Sequence, residues 1–174
     1  MPGLYDLAAQ LRALATGEIG REAVEAWLAP VVAADPLDVA ESDAEPWEDG
    51  GHDEERLFWR LVYLVESTPD DAEEMLREVA ARVVACLAST ASAADTHELL
   101  PLVLDADRLC VIVERHRRGI ISRTGFLSVL AESGYPPHAK LWLEHADGPA
   151  LESLCAAIAA DAWERVARML ERKP

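Results

Sequence analysis

Residues 57–76, Leu57-Phe58-Trp59-Arg60-Leu61-Val62-Tyr63-Leu64-Val65-Glu66-Ser67-Thr68-Pro69-Asp70-Asp71-Ala72-Glu73-Glu74-Met75-Leu76, decide the fold class. Leu57, Phe58, Leu61, Val62 and Val65 recur at helical spacing and cover much of one cylinder, which predicts a central helix. The stretch Ser67-Thr68-Pro69-Asp70-Asp71 then predicts a helix start, with Thr68 as N-cap, Pro69 in the first helical position and two carboxylates at the positive dipole end. Leu76, Val79, Val83 and Leu87 continue that helix.

The same periodicity extends in both directions. Upstream, Leu4, Leu7, Leu11 and Leu14 share one helical face, and Gly17 fits the position just past a helix end. Val24, Trp27, Leu28, Val31 and Val32 form a second amphipathic segment, with Pro36 beyond its end. Downstream, 88–96 reads as a connection and 97–104 as a short helix carrying Leu99, Leu100 and Val103. Asp105 or Asp107 would open the next, with Leu109, Ile112 and Val113, closed by Gly119. Ser122 caps a helix with Phe126, Leu127 and Leu130 that Gly134 ends. Pro136-Pro137 and Pro149 would open two more, and Trp163, Val166, Met169 and Leu170 mark the last. No segment alternates β-branched residues between hairpin turns. The expectation is an all-α, irregular bundle of nine or ten helices with an acidic loop between the second and third. Trp27, Phe58, Leu61, Val83, Phe126, Leu130 and Trp142 are its expected core. One domain over 1–174 is expected, with a subdivision into a 1–34 hairpin, a 35–55 loop and a 56–174 bundle as the other arrangement. Gly17-x-Ile19-x-Arg21-x-x-Val24 is echoed by Gly119-x-Ile121-x-Arg123-x-x-Phe126, which shared helix-hairpin chemistry explains better than a solenoid of repeats.

Charge bounds the partners. The 174-residue chain carries a formal net charge of −16, which repels phosphate backbones and argues against nucleic acid while steering basic partners to the surface. Ten of its 32 acidic residues fall within 35–55, a stretch without Lys or Arg: Asp35, Asp38, Glu41, Asp43, Glu45, Glu48, Asp49, Asp53, Glu54 and Glu55. A solvated linker is the simplest account of such a run. A docking surface for a basic protein is the second, and calcium binding the third, although the run lacks the spacing of an EF-hand loop. Trp47, an aromatic amid charge, favours docking, with Asp43, Glu45, Glu48, Asp49, Asp53 and Glu54 around it as the partner-binding set.

No catalytic or metal-binding motif stands out. His138 and His145 lie seven apart on an expected helix, ~10.5 Å along its axis, too far to share one ion; His52, His97 and His116 add no ligand spacing. Cys86, Cys110 and Cys155 are widely spaced in apolar stretches and read as buried free thiols of a reducing compartment. Cys110 and His116 fall on nearly opposite helix faces. Neither phosphate-binding glycine motif occurs. No cofactor is expected, and the chain reads as a non-enzyme. Arg115-His116-Arg117-Arg118 with Arg123 is the one basic cluster; cations at a helix carboxyl end account for it better than an anion site. The start, Met1-Pro2-Gly3-Leu4-Tyr5-Asp6, lacks signal-peptide character, and no apolar run reaches the ~20 residues of a membrane span, so a cytoplasmic location and no membrane partner are expected. Absence of Asn, two Lys against fourteen Arg and abundant Ala point to a GC-rich, bacterial genome.

Residues 7–32 resemble the opening of small acidic helical immunity proteins of bacterial toxin systems: an apolar helix, Gly17-Glu18-Ile19, then Arg21-Glu22-Ala23-Val24-Glu25-Ala26-Trp27. The likeness covers 26 of 174 residues and transfers no functional residue. It implies an inhibitor that covers a toxin's active surface. A helical scaffold or oligomeric subunit, and an enzyme with a site assembled from distant residues, are the other readings.

Overall fold

The computed structural model describes residues 2–34, 54–90, 92–132 and nine positions between 153 and 168. Among these all regular structure is helical: α1 (Leu4–Ala15), α2 (Arg21–Ala33), α3 (Glu54–Ser67), α4 (Glu73–Ser89), α5 (Ala93–Arg117) and α6 (Arg123–Glu132). The described positions within 153–168 are all helical as well. The all-α expectation holds, whereas the expected count of nine or ten helices is too high.

One merger among the described residues accounts for part of the difference. The segments expected over 97–104 and 105–119 are one helix, α5, which continues through Pro101. Asp105 and Asp107 lie inside it rather than at its start. Asp105 is exposed, but Leu99, Leu100, Val103, Leu104, Asp107, Arg108 and Ile112 are all buried, and burial of this kind outweighs local capping preference. The helix expected from Pro136-Pro137 lies outside the described residues.

The chain divides into two compact units, 1–101 and 102–174, and the division falls inside α5. In the first, α1 packs chiefly on α4 and also on α3 and α2. Leu4, Leu7, Leu11 and Leu14 of α1 are buried, as are Leu76, Val79, Ala80 and Val83 of α4. Helix α3 buries Leu57, Phe58, Leu61, Val62, Leu64 and Val65, the apolar positions its spacing predicts, while α1 is the helix that packs on all three others. Trp27 is only half-buried, because α2 turns Val24, Leu28 and Val31 inward. Phe126 is buried in the second unit, stacked on His116 at 4.9 Å between ring centroids.

The sequence echo has a geometric cause. Gly17 (φ 76°) and Gly119 (φ 70°) occupy the left-handed region. At the first, the Gly17 amide donates to Leu14 and the Glu18 amide to Ala13; at the second, Gly119 donates to His116 and Ile120 to Arg115. Both are Schellman closures, which glycine makes without a Cβ clash. Two residues further a new helix follows, α2 from Gly20 and α6 from Ser122, whose Oγ accepts from the Gly125 amide at 3.1 Å. Ser122 is thus the N-cap that its position predicts.

Burial of the α3 face can be tested directly. Leu61→Ala should lower the free energy of unfolding by about 2–5 kcal/mol, read from urea denaturation. A change near zero would contradict the burial of that face.

Candidate functional site

The expected α4 start is displaced. Thr68 is not its N-cap: its amide and Oγ1 both donate back to the Leu64 carbonyl, at 3.1 and 2.6 Å, and so finish α3. Pro69 to Asp71 form a turn closed by the Ala72 amide on the Pro69 carbonyl at 2.9 Å, and Ala72 precedes α4. The turn leaves the Val65 and Thr68 carbonyls outside any helical ladder, where acceptors must find other donors, and gives the Pro69 carbonyl the Ala72 amide with one lone pair to spare.

Arg21 supplies them. Its side chain is buried, and Nη1 donates to the carbonyls of Thr68 and Pro69 at 2.8 Å each, while Nη2 donates to that of Val65 at 3.3 Å. Nε pairs with Glu25 one turn along α2, and Nη2 lies 3.3 Å from Asp70. A guanidinium has five N–H donors; four of them are spent on Glu25 and the three carbonyls, and Asp70 adds an ion pair. The carbonyl bonds carry most of the stabilisation: hydrogen bonds to a charged group are worth about 1.5–3 kcal/mol, whereas the fully exposed Asp70 carboxylate adds little. The cation also faces the negative dipole end of α3. Composition and periodicity do not single Arg21 out, but one signal was present. A cation in the first position of a helix opposes that helix's own dipole, so it needs a compensating partner elsewhere.

Around this clamp lies an open groove of about 490 Å³, lined by Arg21, Glu25, Leu28, Ala29, Val32 and Ala33 of α2, by Glu66 of α3 and by Asp70. Its floor is aliphatic and its rim carries three carboxylates against one guanidinium. Glu66 makes no hydrogen bond or ion pair among the described residues. Its carboxyl is held above the ordinary range, first by partial desolvation and then by the neighbouring Glu25 carboxylate. It also occupies the last turn of α3, where the helix dipole disfavours a negative charge. A second groove of about 330 Å³ lies at the amino ends of α1 and α3, between Pro2, Gly3, Leu4, Glu54, Glu55 and Phe58.

Of the expected partner-binding set, only Glu54 falls among the described residues. It is exposed in the first turn of α3, where its charge suits the dipole. Trp47, Asp43, Glu45, Glu48, Asp49 and Asp53 lie outside them. Glu25, Leu28, Val32 and Glu66 were legible only as helix residues, because what unites them is the crossing of α2 with the end of α3.

The remaining candidates are placed as follows. Cys86 is buried and its thiol is pushed up to about 11 by desolvation, the reverse of an activated nucleophile. Cys110 is half-buried, and neither it nor His116 lines either groove. Among the described residues, no group of three His, Cys, Asp or Glu is placed to hold a metal ion, and no helix is long and apolar enough to cross a membrane. In the basic cluster, Arg118 pairs with Glu114 at 2.7 Å and Arg117 with the same carboxylate at 3.9 Å, in the last turn of α5 and just past it. Helix-end pairing therefore accounts for these two cations.

No family model, characterised protein or solved structure matches this chain.

The raised Glu66 pKa has a stability consequence. Between the ordinary carboxylate value and the raised one, the folded state holds more protons than the unfolded chain, so the Glu66 contribution to stability falls as pH rises through that window. Glu66→Gln should therefore melt at higher temperature than the parent at pH 7, with the gain vanishing below pH 4. A variant that melts lower at pH 7 would show that Glu66 has a stabilising partner.

Proposed function

We propose that this protein acts without catalysis, by binding a basic protein partner in the cytosol, and that the partner is a toxin whose cationic active surface it covers. The carrying observation is the distribution of charge: ten carboxylates without one Lys or Arg over 35–55, in a chain of net charge −16. The groove beside α2 supports the reading, since it adds acidic rim and aliphatic floor directly before that segment in the chain: Ala33, its last α2 residue, stands two residues ahead of Asp35. The likeness of residues 7–32 to small acidic immunity proteins agrees with it.

The physical advantage is kinetic. Complementary charge raises association toward ~10⁸ M⁻¹s⁻¹ at low salt, and an inhibitor must bind before its target acts. Trp47 is the anchor that would then slow dissociation.

An immunity gene lies beside its toxin gene, so the product of the neighbouring gene is the partner to test. Surface plasmon resonance with that purified product should give fast, salt-sensitive association. Replacing Asp43, Glu45, Glu48, Asp49, Asp53 and Glu54 by Ser should slow association and flatten its salt dependence, and Trp47→Ala should mainly raise the dissociation rate. A neighbouring product that is acidic, or one that does not bind, would overturn the proposal.

A further inference from the structure

We infer that the groove between α2 and the carboxyl end of α3 receives a single lysine or arginine side chain of the basic partner, its aliphatic stem on Leu28, Ala29 and Val32 and its cationic head against Glu66 and Glu25. The inference rests on the basic-partner reading and names where and how such a partner is gripped.

Three features converge on this occupant. The first is charge: three rim carboxylates face one guanidinium, which is engaged with Glu25, Asp70 and three carbonyls. Arg21 thus directs four donors away from Glu66. The second is cost. Glu66 is disfavoured as an anion by desolvation, by Glu25 and by the dipole end of its own helix. An incoming cation offsets the repulsion from Glu25 and the unfavourable dipole end. The third is shape. The floor is aliphatic and continuous along one turn of α2, so a bare ion would leave it unused. Lys and Arg side chains lay their methylene stems on apolar surface and carry the charge to its edge. The carboxylates are not gathered closely enough for a metal ion, which removes the compact-cation alternative. The groove volume of about 490 Å³ leaves room for the stem and an adjoining apolar side chain.

The test uses the full chain, labelled with nitrogen-15, and two probes, n-pentylammonium and methylammonium, which differ only in the stem. Pentylammonium should shift backbone amides of residues 25–33 and 66–70 and bind more tightly than methylammonium. Glu66→Gln should weaken it about two- to fivefold, the worth of one exposed charge pair, although the same variant melts higher at pH 7. Glu74→Gln, which changes an exposed acid of α4 outside the groove, should leave binding unchanged. Shifts scattered over the acidic surface, equal affinity for the two probes, or equal losses in both variants would overturn the inference. Failure of the neighbouring gene product to bind the parent chain would instead overturn the partner reading, and the two outcomes are read in separate experiments. Binding of that product at equal affinity to parent and Glu66→Gln would leave a basic partner in place and remove it from this groove.

Discussion

The arrangement of the first compact unit turns on one buried guanidinium. Arg21 stands in the first position of α2, against the preference of that helix's own dipole, and reaches residues 44 to 48 positions further along the chain. There it satisfies carbonyls that the turn after α3 exposes. Few contacts are so constrained: the fork geometry of the guanidinium serves several acceptors at once, and a lysine in its place would offer a point charge. Through this clamp a circuit closes. The Schellman glycine Gly17 joins α1 to α2, Arg21 ties α2 to the end of α3, the 69–72 turn leads into α4, and α4 packs back on α1.

The clamp also shapes the surface beside it. Arg21 is engaged with backbone, Glu25 and Asp70, and the Glu66 carboxylate on the groove rim has no ion pair among the described residues. A fold optimised for stability alone would neutralise that position or remove its charge. The excess acid of the whole chain repeats the same imbalance at larger scale, with ten carboxylates clustered over 35–55. The proposed basic partner would meet this acidic excess both in the groove and along 35–55.

What could be read from sequence follows a physical division. Apolar spacing found the buried faces of α1, α3 and α4, because burial is periodic on a helix. Gly17, Gly119 and Ser122 were legible, because each has a conformational or capping role that few other residues fill. The reading failed where tertiary contact overrides local preference. Thr68-Pro69-Asp70-Asp71 has the chemistry of a helix start, yet Thr68 bonds backward and α4 begins at Glu73. Asp105 and Asp107 suggest a cap, yet α5 passes through both. Arg21 was visible as part of a repeated pattern, but its matching residue, Arg123, is exposed, so pattern alone could not reveal the clamp. The groove was illegible for the same reason, since Glu25 and Glu66 are 41 residues apart in sequence and meet only through the crossing of two helices.

Amide hydrogen exchange in Arg21→Met against the parent protein tests the clamp most directly. If Arg21 holds the end of α3 and the following turn, the amides of Thr68 and Ala72 should lose protection well before those of Leu11 in α1 and Val83 in α4, which should follow global stability alone. Equal loss of protection at all four positions, or none at Thr68 and Ala72, would contradict the central place given to this residue.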